Sequence, residues 1–455
     1  MANSSRIISE KLVENVRSYI RSENRQPLQK LIEDMRPADV ADLIEHLKSD
    51  ERLFIFDLLE PAGAGNVLVE IEAPVQGSIL SDLDNDAITK IVSGLDSDDA
   101  ADLVGDLPAD RAKEIIETLD DGKSERLGRL LPYPEDTAGG IMALEFVAVQ
   151  AESNVSEAIE TIREKRDEVQ NLFYVYVVDE FERLVGIISL RDLLLVSPKT
   201  KVREVMNPEV ISVDVNKDQE EVAHLVKKYD LVTIPVVDQY HHLVGRITLD
   251  DIIDVIEEEV DEDITLMAGV IHQEITEESS LKISRARLPW LIAGLGGGIV
   301  AAVVINQFEA SLETMIALSF FFPVIMAMGG NTGTQASTVA VRGLATGDIS
   351  LMNTGRRLLM EMKVAMVNGL ICGVILGIIV GIWLDDYRLG SVIALALMII
   401  ILSSGFIGAA VPLILKRWNI DPALATGPFV TTSNDILGLL IYLGLVTLFL
   451  RYVYG

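Results

Sequence analysis

The sequence predicts a multidomain membrane protein: an α-helical superhelical N-domain, an α/β tandem-repeat domain and an all-α five-helix transmembrane domain. Three observations carry this reading. Five apolar segments follow Arg287, at about 288–306, 315–343, 364–384, 392–415 and 424–450. Each is long enough to cross a hydrocarbon core of roughly 30 Å at ~1.5 Å per residue. Two stretches repeat at a fixed offset, with Asp179 and Asp238, and Gly186 and Gly245, each 59 residues apart. Upstream, short amphipathic segments recur with Pro or Asp at the start and Leu at the end.

The N-domain spans 1–132. "PADVADLIEHL" (37–47), "DSDDAADLVGDL" (96–107) and "PADRAKEIIETL" (108–119) read as a stacked array of helical hairpins. The chain starts "MANSSRIISEKLVENV", which has no apolar core, so no cleaved signal peptide is expected. "YPEDTAGGIM" (133–142) has Pro, Gly-Gly and no periodicity, so 133–150 is expected to be a linker.

The repeat domain spans 151–256. Each copy reads strand, polar turn, strand "LVG-I", then Ser/Thr-x-x-Asp opening a helix: Ser189 with Asp192, and Thr248 with Asp251. This pattern resembles a tandem CBS (cystathionine-β-synthase) pair. The resemblance implies that these hydroxyl and acid pairs hold a nucleotide's ribose near a helix N-terminus suited to phosphate; the alternative is a purely scaffolding role.

An acidic connecting helix is expected over 257–287, and "DVIEEEVDEDITLMAGV" (254–270) crowds carboxylates just ahead of the first span. Like charges at helical spacing destabilise a helix. A solvated face explains most such runs, but acid at this joint is also placed to bind a divalent ion.

The transmembrane domain spans 288–455. "GGNTGTQAS" (329–337) interrupts an apolar stretch, and irregular or polar backbone at membrane depth is tolerated only where protein or water satisfies it. "DPALATGPFVTTSNDILGLLIY" (421–442) puts Asp435 in the last span, where a carboxylate marks an ion or proton pathway. The groups offered are all oxygens, which suit hard cations such as Mg²⁺ or Ca²⁺ over zinc or copper. Gly369, Gly373, Gly377 and Gly381 share one face of the third segment, and Gly294 and Gly298 share one of the first; both read as packing surfaces.

Charge is divided unevenly. From Arg285 onward ten Lys/Arg face eight Asp/Glu, a balance of +2, while the preceding residues hold 28 and 61, a balance of −33. Such acidity repels nucleic acid, which is excluded as a partner, and attracts cations. A single cysteine, Cys372, excludes an intrachain disulfide and a Cys-based zinc site. The five histidines are scattered and no nucleophile–base pairing or Walker-type loop is present, so an enzyme is not expected. With the N-terminus inside, seven flanking basic residues lie on the cytoplasmic side and only Arg388 and Arg451 outside, which predicts a cytoplasmic N-terminus and an external C-terminus.

The membrane motifs "GGNTGTQ…VRGLATGDI" and "PFVTTSNDILGLLIY" resemble the MgtE family of magnesium channels, and "YPEDTAGGIM", the CBS pair, the acidic connector and the five spans match that family in order. The resemblance implies a homodimer in a prokaryotic plasma (inner) membrane, taking up Mg²⁺ through a selective pore. It also implies cytosolic acidic domains that bind Mg²⁺ and close the pore when the ion is abundant. By position it implies pore ligation by Asp435, with Gly330, Asn331 and Thr431 beside it. It implies sensor carboxylates at Asp98 and Asp102, at Asp218, Glu220, Asp230, Asp251 and Asp254, at Glu259, Glu262 and Asp263, and at Asp421. Mg²⁺ is then both cargo and regulator, and ATP is a further candidate ligand of the CBS pair. Two positions depart from the pattern: Asn66, where some members carry an acid, and Gly427, where some carry Asn. A secondary exchanger coupling Mg²⁺ to Na⁺ or H⁺, a broader divalent (Co²⁺, Ni²⁺) transporter and a non-transporting sensor remain the alternatives; an odd span number disfavours the inverted repeat of an exchanger.

Overall fold

The computed structural model describes residues 8–22, 24–166, 169, 172–270, 280–346, 349, 354–418, 420–425 and 427–454. It divides into two compact units, Met1–Ile256 and Glu257–Gly455.

In the first unit, helices α1–α10 fill residues 10–130. Helix starts follow local chemistry. Pro37 opens α3 (Pro37–Glu45) and Pro61 opens α5 (Pro61–Val69), where the missing N–H is not needed. Asp84 caps α7 (Asn85–Val92) by accepting from the Ala87 N–H. Alternate helices pack in a ladder, α3 on α5, α5 on α7 and α7 on α9 (Ala109–Thr118), as expected of a hairpin array. The leucines that close the recurring segments, Leu47, Leu107 and Leu119, are all buried.

The segment 133–150 is packed rather than free. The Ala138 and Gly139 N–H groups donate to the carbonyls of Lys217 and Val215, and Ala138 and Met142 are fully buried. Its last residues form strand β1 (Ala148–Gln150). Then follow α11 (Val155–Glu164), β2 (Tyr174–Val178), β3 (Leu184–Ser189) and α12 (Leu190–Leu195). The second copy is β4 (Val213–Asp214), α13 (Gln219–Tyr229), β5 (Thr233–Val237), β6 (Leu243–Thr248) and α14 (Leu249–Ala268). Both sheets pair parallel and then antiparallel, and their registers slip at equivalent places, Val177/Val178 and Val236/Val237. Glu182 and His241, also equivalent, both take positive φ in the hairpin turns, at 60° and 69°. The repeat read from two glycines and two aspartates thus extends to turn and bulge geometry.

Helix α14 does not stop at the end of the repeat domain but runs on through the acidic stretch to Ala268. The part of the expected connecting helix at 271–279 lies outside the described residues. The second unit continues with α15 (Ser280–Gln307), the short α16 (Glu309–Thr314), a 3₁₀ turn at Ile316–Phe321, α17 (Phe322–Ala345), α18 (Thr354–Trp383), α19 (Tyr387–Arg417) and α20 (Pro428–Tyr454). Among the described residues five helical segments are long and apolar enough to cross a membrane.

The glycine face of α18 meets α19 closely: a Cβ built on Gly373 would stand 2.7 Å from the Ala394 carbonyl oxygen. Within the single chain, nothing among the described residues lies within 4 Å of a Cβ placed on Gly294 or Gly298. The packing glycine of α15 is Gly297, which abuts Thr432.

Candidate metal sites

The break expected at "GGNTGTQAS" is absent. These residues lie inside α17, an unbroken helix. Lipid offers no alternative hydrogen bonds, so the helix persists through its glycines. What the segment contributes is polarity on one flank. Asn331, Thr334, Gln335 and Thr338 recur at helical spacing and are all exposed on the single chain. On α20, Thr431 is exposed and Asp435, one turn later on the same face, is half-buried. The two helices meet where Gly330 approaches the Thr431 methyl, so the α17 and α20 polar groups neighbour one another. Asp435 is no helix cap: it lies seven residues past Pro428, about 10 Å along the axis.

Behind this face the α17–α20 contact is tight. Gly333 leaves just enough room for the Asn434 side chain and Val430. Asn434 is 1 % exposed, and neither its Oδ1 nor its Nδ2 makes a hydrogen bond; the buried Ser337 Oγ is likewise unbonded. Asn434 was legible only as one of a polar run, not as the member that points inward.

In the first unit, two helix starts bring acids together. α8 (Ser97–Gly105) carries Asp98 and Asp99 in its first turn, and α14 carries Asp250 and Asp251. Acid in a first turn complements the helix dipole, but here the two sets face each other. Burial raises Asp98 well above the usual carboxylate range, and the Asp251 and Asp99 charges raise it further. Burial, then Asp251, Asp96, Asp250 and Asp254, push Asp99 up to about 7. Burial also raises Asp251, against the opposing pull of hydrogen bonds from the Thr248 N–H (2.9 Å) and Oγ1 (2.5 Å). Asp96 is raised by burial and by Glu145. Of this group the sequence singled out Asp98, Asp251 and Asp254; Asp96, Asp99 and Asp250 join through contacts between segments some 150 residues apart.

Glu145, from the expected linker, anchors the arrangement. It is buried, accepts from the Ser97 N–H and Oγ (3.2 and 2.6 Å), and pairs with Arg126 at 2.8 Å. It is therefore already compensated, whereas the Asp98–Asp99–Asp251 group is dominated by like charges.

The remaining carboxylates are spread out. Asp102 is exposed on α8. Asp218 caps α13, accepting from the Glu220 and Glu221 N–H groups, so Glu220 is beside it. Asp230 ends the same helix in the left-handed conformation, φ 51°, about 16 Å from its start. Glu259, Glu262 and Asp263 share one face of α14. Asp421 accepts from the Ala423 N–H at 2.7 Å in the turn before α20. The end of α14 reaches that turn: a Cβ on Gly427 would sit 3.2 Å from the Met267 carbonyl oxygen. Glycine at this departure from the family pattern thus permits a close contact between connector and last span. Asn66, the other departure, is exposed on α5.

Of the two nucleotide-type pairs, Asp192 is exposed and Ser189 half-buried, with Ser189 Oγ donating to Asp192 at 2.6 Å. Thr248 and Asp251 are spent on each other and on the carboxylate group facing α8. Among the described residues no three His, Cys, Asp or Glu side chains stand at the spacing of a closed metal site. The donors are all carboxylates, with no imidazole or thiolate among them. That set fits Mg²⁺, which keeps several waters and binds through one or two carboxylates.

Five spans, an outward polar face bearing a carboxylate, and an acidic soluble unit define an integral membrane protein of the cation-transporter class. Residues 322–445 match the family described as divalent cation transporter, MgtE; 35–136 match the MgtE intracellular N domain; 138–199 and 202–258 match the CBS domain. The chain belongs to the MgtE family. It is 36 % identical to the magnesium transporter MgtE of Thermus thermophilus over 98 % of this chain and 100 % of that one. It is 39 % identical to that of Enterococcus faecalis over 71 % of each. Among solved structures, the cytosolic domain of the Mg²⁺ channel MgtE in complex with ATP matches 54 % of this chain and all of its own, at 35 % identity and a TM-score of 0.51. These relatives are named as transporters and a channel, not as enzymes.

Proposed function

We propose that this protein carries Mg²⁺ across a prokaryotic plasma membrane through a pore completed by two copies of the chain, and that its acidic half closes the pore when cytosolic Mg²⁺ is high. The observation that carries the reading is the polar flank of α17 and α20, exposed on a single chain within a membrane-spanning bundle. Lipid does not tolerate such a flank, and a second copy enclosing water against it does. Asp435 supplies the charge that attracts the cation; Thr431, Asn331 and the backbone near Gly330 line the path beside it. The family membership and the names of the relatives support Mg²⁺ as cargo. The distribution of basic residues supports a cytoplasmic N-terminus and an external C-terminus.

Closure follows from charge. Without metal the −33 of the soluble half is self-repelling. Bound Mg²⁺ would neutralise carboxylates there, chiefly Asp98 and Asp251 with Asp254, and at Asp102, Asp218, Glu220 and Asp230. Glu259, Glu262 and Asp263 on α14, with Asp421, carry the change to α20, supported by the contact at Gly427. Moving an equilibrium from 1:99 to 99:1 needs about 5.5 kcal/mol of differential binding, which several weak sites supply together. The Ser189–Asp192 pair, with Asp192 exposed and Ser189 half-buried, is the more accessible place for a nucleotide such as ATP.

Disulfide trapping tests the shared pore. In a Cys372→Ala background, Thr334→Cys is expected to oxidise to a covalent dimer in membranes, whereas Leu291→Cys, on an exposed apolar flank of α15, stays monomeric on denaturing gels. Trapping at Leu291→Cys but not at Thr334→Cys would overturn the arrangement.

A further inference from the structure

At the end of α17 and the start of α18, a cavity of about 910 Å³ is walled by four basic side chains, Arg342, Arg356, Arg357 and Lys363. Arg342 lies in the last turn of α17, Arg356 and Arg357 in the first turn of α18, and Lys363 about 10 Å deeper along α18. No acidic side chain is among the described residues that line it. Among the described residues, Glu361 meets Arg357 Nη2 at 3.5 Å, so the four cations and this acid sum to +3. The Arg357 Nε is buried and makes no hydrogen bond. The Thr338 hydroxyl also borders the space.

The rest of the wall is apolar. Val339, Leu359 and Met360 line the cavity and are exposed on the flank of the bundle. Ile349 closes one side, its N–H donating to the Gly343 carbonyl at 2.7 Å. A recess with guanidinium groups at one level and exposed aliphatic side chains beside them is amphipathic in the sense of a phospholipid. The planar fork of Arg suits phosphate oxygens, and basic pockets between spans bind anionic headgroups. A small soluble anion would use the cations but gain nothing from Leu359 and Met360.

We propose that this cavity holds the phosphate of an anionic phospholipid, with its acyl chains laid over Val339, Leu359 and Met360. The lipid then bridges α17, the helix that carries the polar flank, to α18. Bound there, it ties the geometry of α17 to the composition of the membrane.

Native mass spectrometry of the full-length protein in detergent tests this, with palmitoyl-oleoyl phosphatidylglycerol or the matching phosphatidylcholine added. The wild type is expected to retain phosphatidylglycerol preferentially. Each basic residue removed should weaken retention about fivefold, so R342Q/R356Q should lose roughly 25-fold. R388Q, at a cation distant in sequence and outside the cavity, should retain the lipid as the wild type does. If R342Q/R356Q fails to fold, K363Q with a loss and R342K/R356K with retention carry the same expectation. Equal retention of the two lipids, or equal retention by R388Q and by the cavity variants, would overturn the proposal. Displacement of phosphatidylglycerol by millimolar inorganic phosphate would overturn the lipid source and assign the cations to a soluble anion.

Discussion

Replacing Asp99 by Asn removes one carboxylate from the buried face between α8 and α14. Asp99 is pushed from 3.8 to about 7 by burial and by Asp251, Asp96, Asp250 and Asp254. A shift of that size corresponds to roughly 4 kcal/mol against the ionised form, an upper bound because the group is not fully enclosed. The folded pKa is raised, so the folded protein keeps a proton that the unfolded chain has released. That stability is fully present below about pH 4 and is lost as pH rises through about 7. Metal-free wild type should therefore melt higher at about pH 5 than at about pH 8, and Asp99→Asn should flatten the difference by raising the value at the higher pH. Mg²⁺ at the higher pH should stabilise the wild type more than the variant, since the variant has less repulsion to relieve. Scanning calorimetry of the full-length protein is the assay. Fluorescence would miss the effect, because all three tryptophans, Trp290, Trp383 and Trp418, lie in the membrane unit. Glu125→Gln, an exposed acid on α10 (Asp121–Leu130), controls for overall charge. A variant that melts lower than wild type at about pH 8, or a wild type insensitive to pH over this range, would refute the reasoning.

Three further outcomes are expected. Gly333→Val should push α17 off Asn434 and Val430 and cost about 1–3 kcal/mol, read as a lower melting temperature by tryptophan fluorescence. Neutralising Glu259, Glu262 and Asp263 together to Gln, Gln and Asn should move Mg²⁺-dependent closure to higher Mg²⁺ and make it shallower, with unchanged flux through the open pore. An unchanged midpoint would make the run a solvated face. Removing residues 1–264 should leave flux that millimolar Mg²⁺ no longer shuts off; full closure of the truncated protein would put the sensor in the membrane unit.

The parts legible in the sequence were those written by periodicity. Five apolar runs gave five spans, and a 59-residue offset gave two sheets alike down to their register slips. What was not legible depended on contacts distant in sequence. The Pro- and Gly-rich stretch at 133–150 reads as a linker because nothing local shows that Lys217 and Val215 will accept its amides, or that Glu145 will reach Ser97 and Arg126. "GGNTGTQAS" reads as a break because glycine weakens helices in water; at membrane depth the backbone has no other partner, and the glycines instead admit α20. Asp218 and Asp230 read as one group along the chain but cap opposite ends of α13. Conversely, Asp96, Asp99 and Asp250 read as ordinary helix-start acids, and become unusual only when α8 faces α14.

The central claim is that a cation passes along the polar flank of α17 and α20 past Asp435. The measurement that bears on it most directly is Mg²⁺ flux into liposomes holding equal amounts of inserted wild-type and Asp435→Ala protein, with Co²⁺, Ni²⁺ and Mn²⁺ tested in turn. The account predicts selective Mg²⁺ flux in the wild type and its loss in the variant, with the oligomeric state unchanged. Flux of the same size and selectivity in both would contradict it.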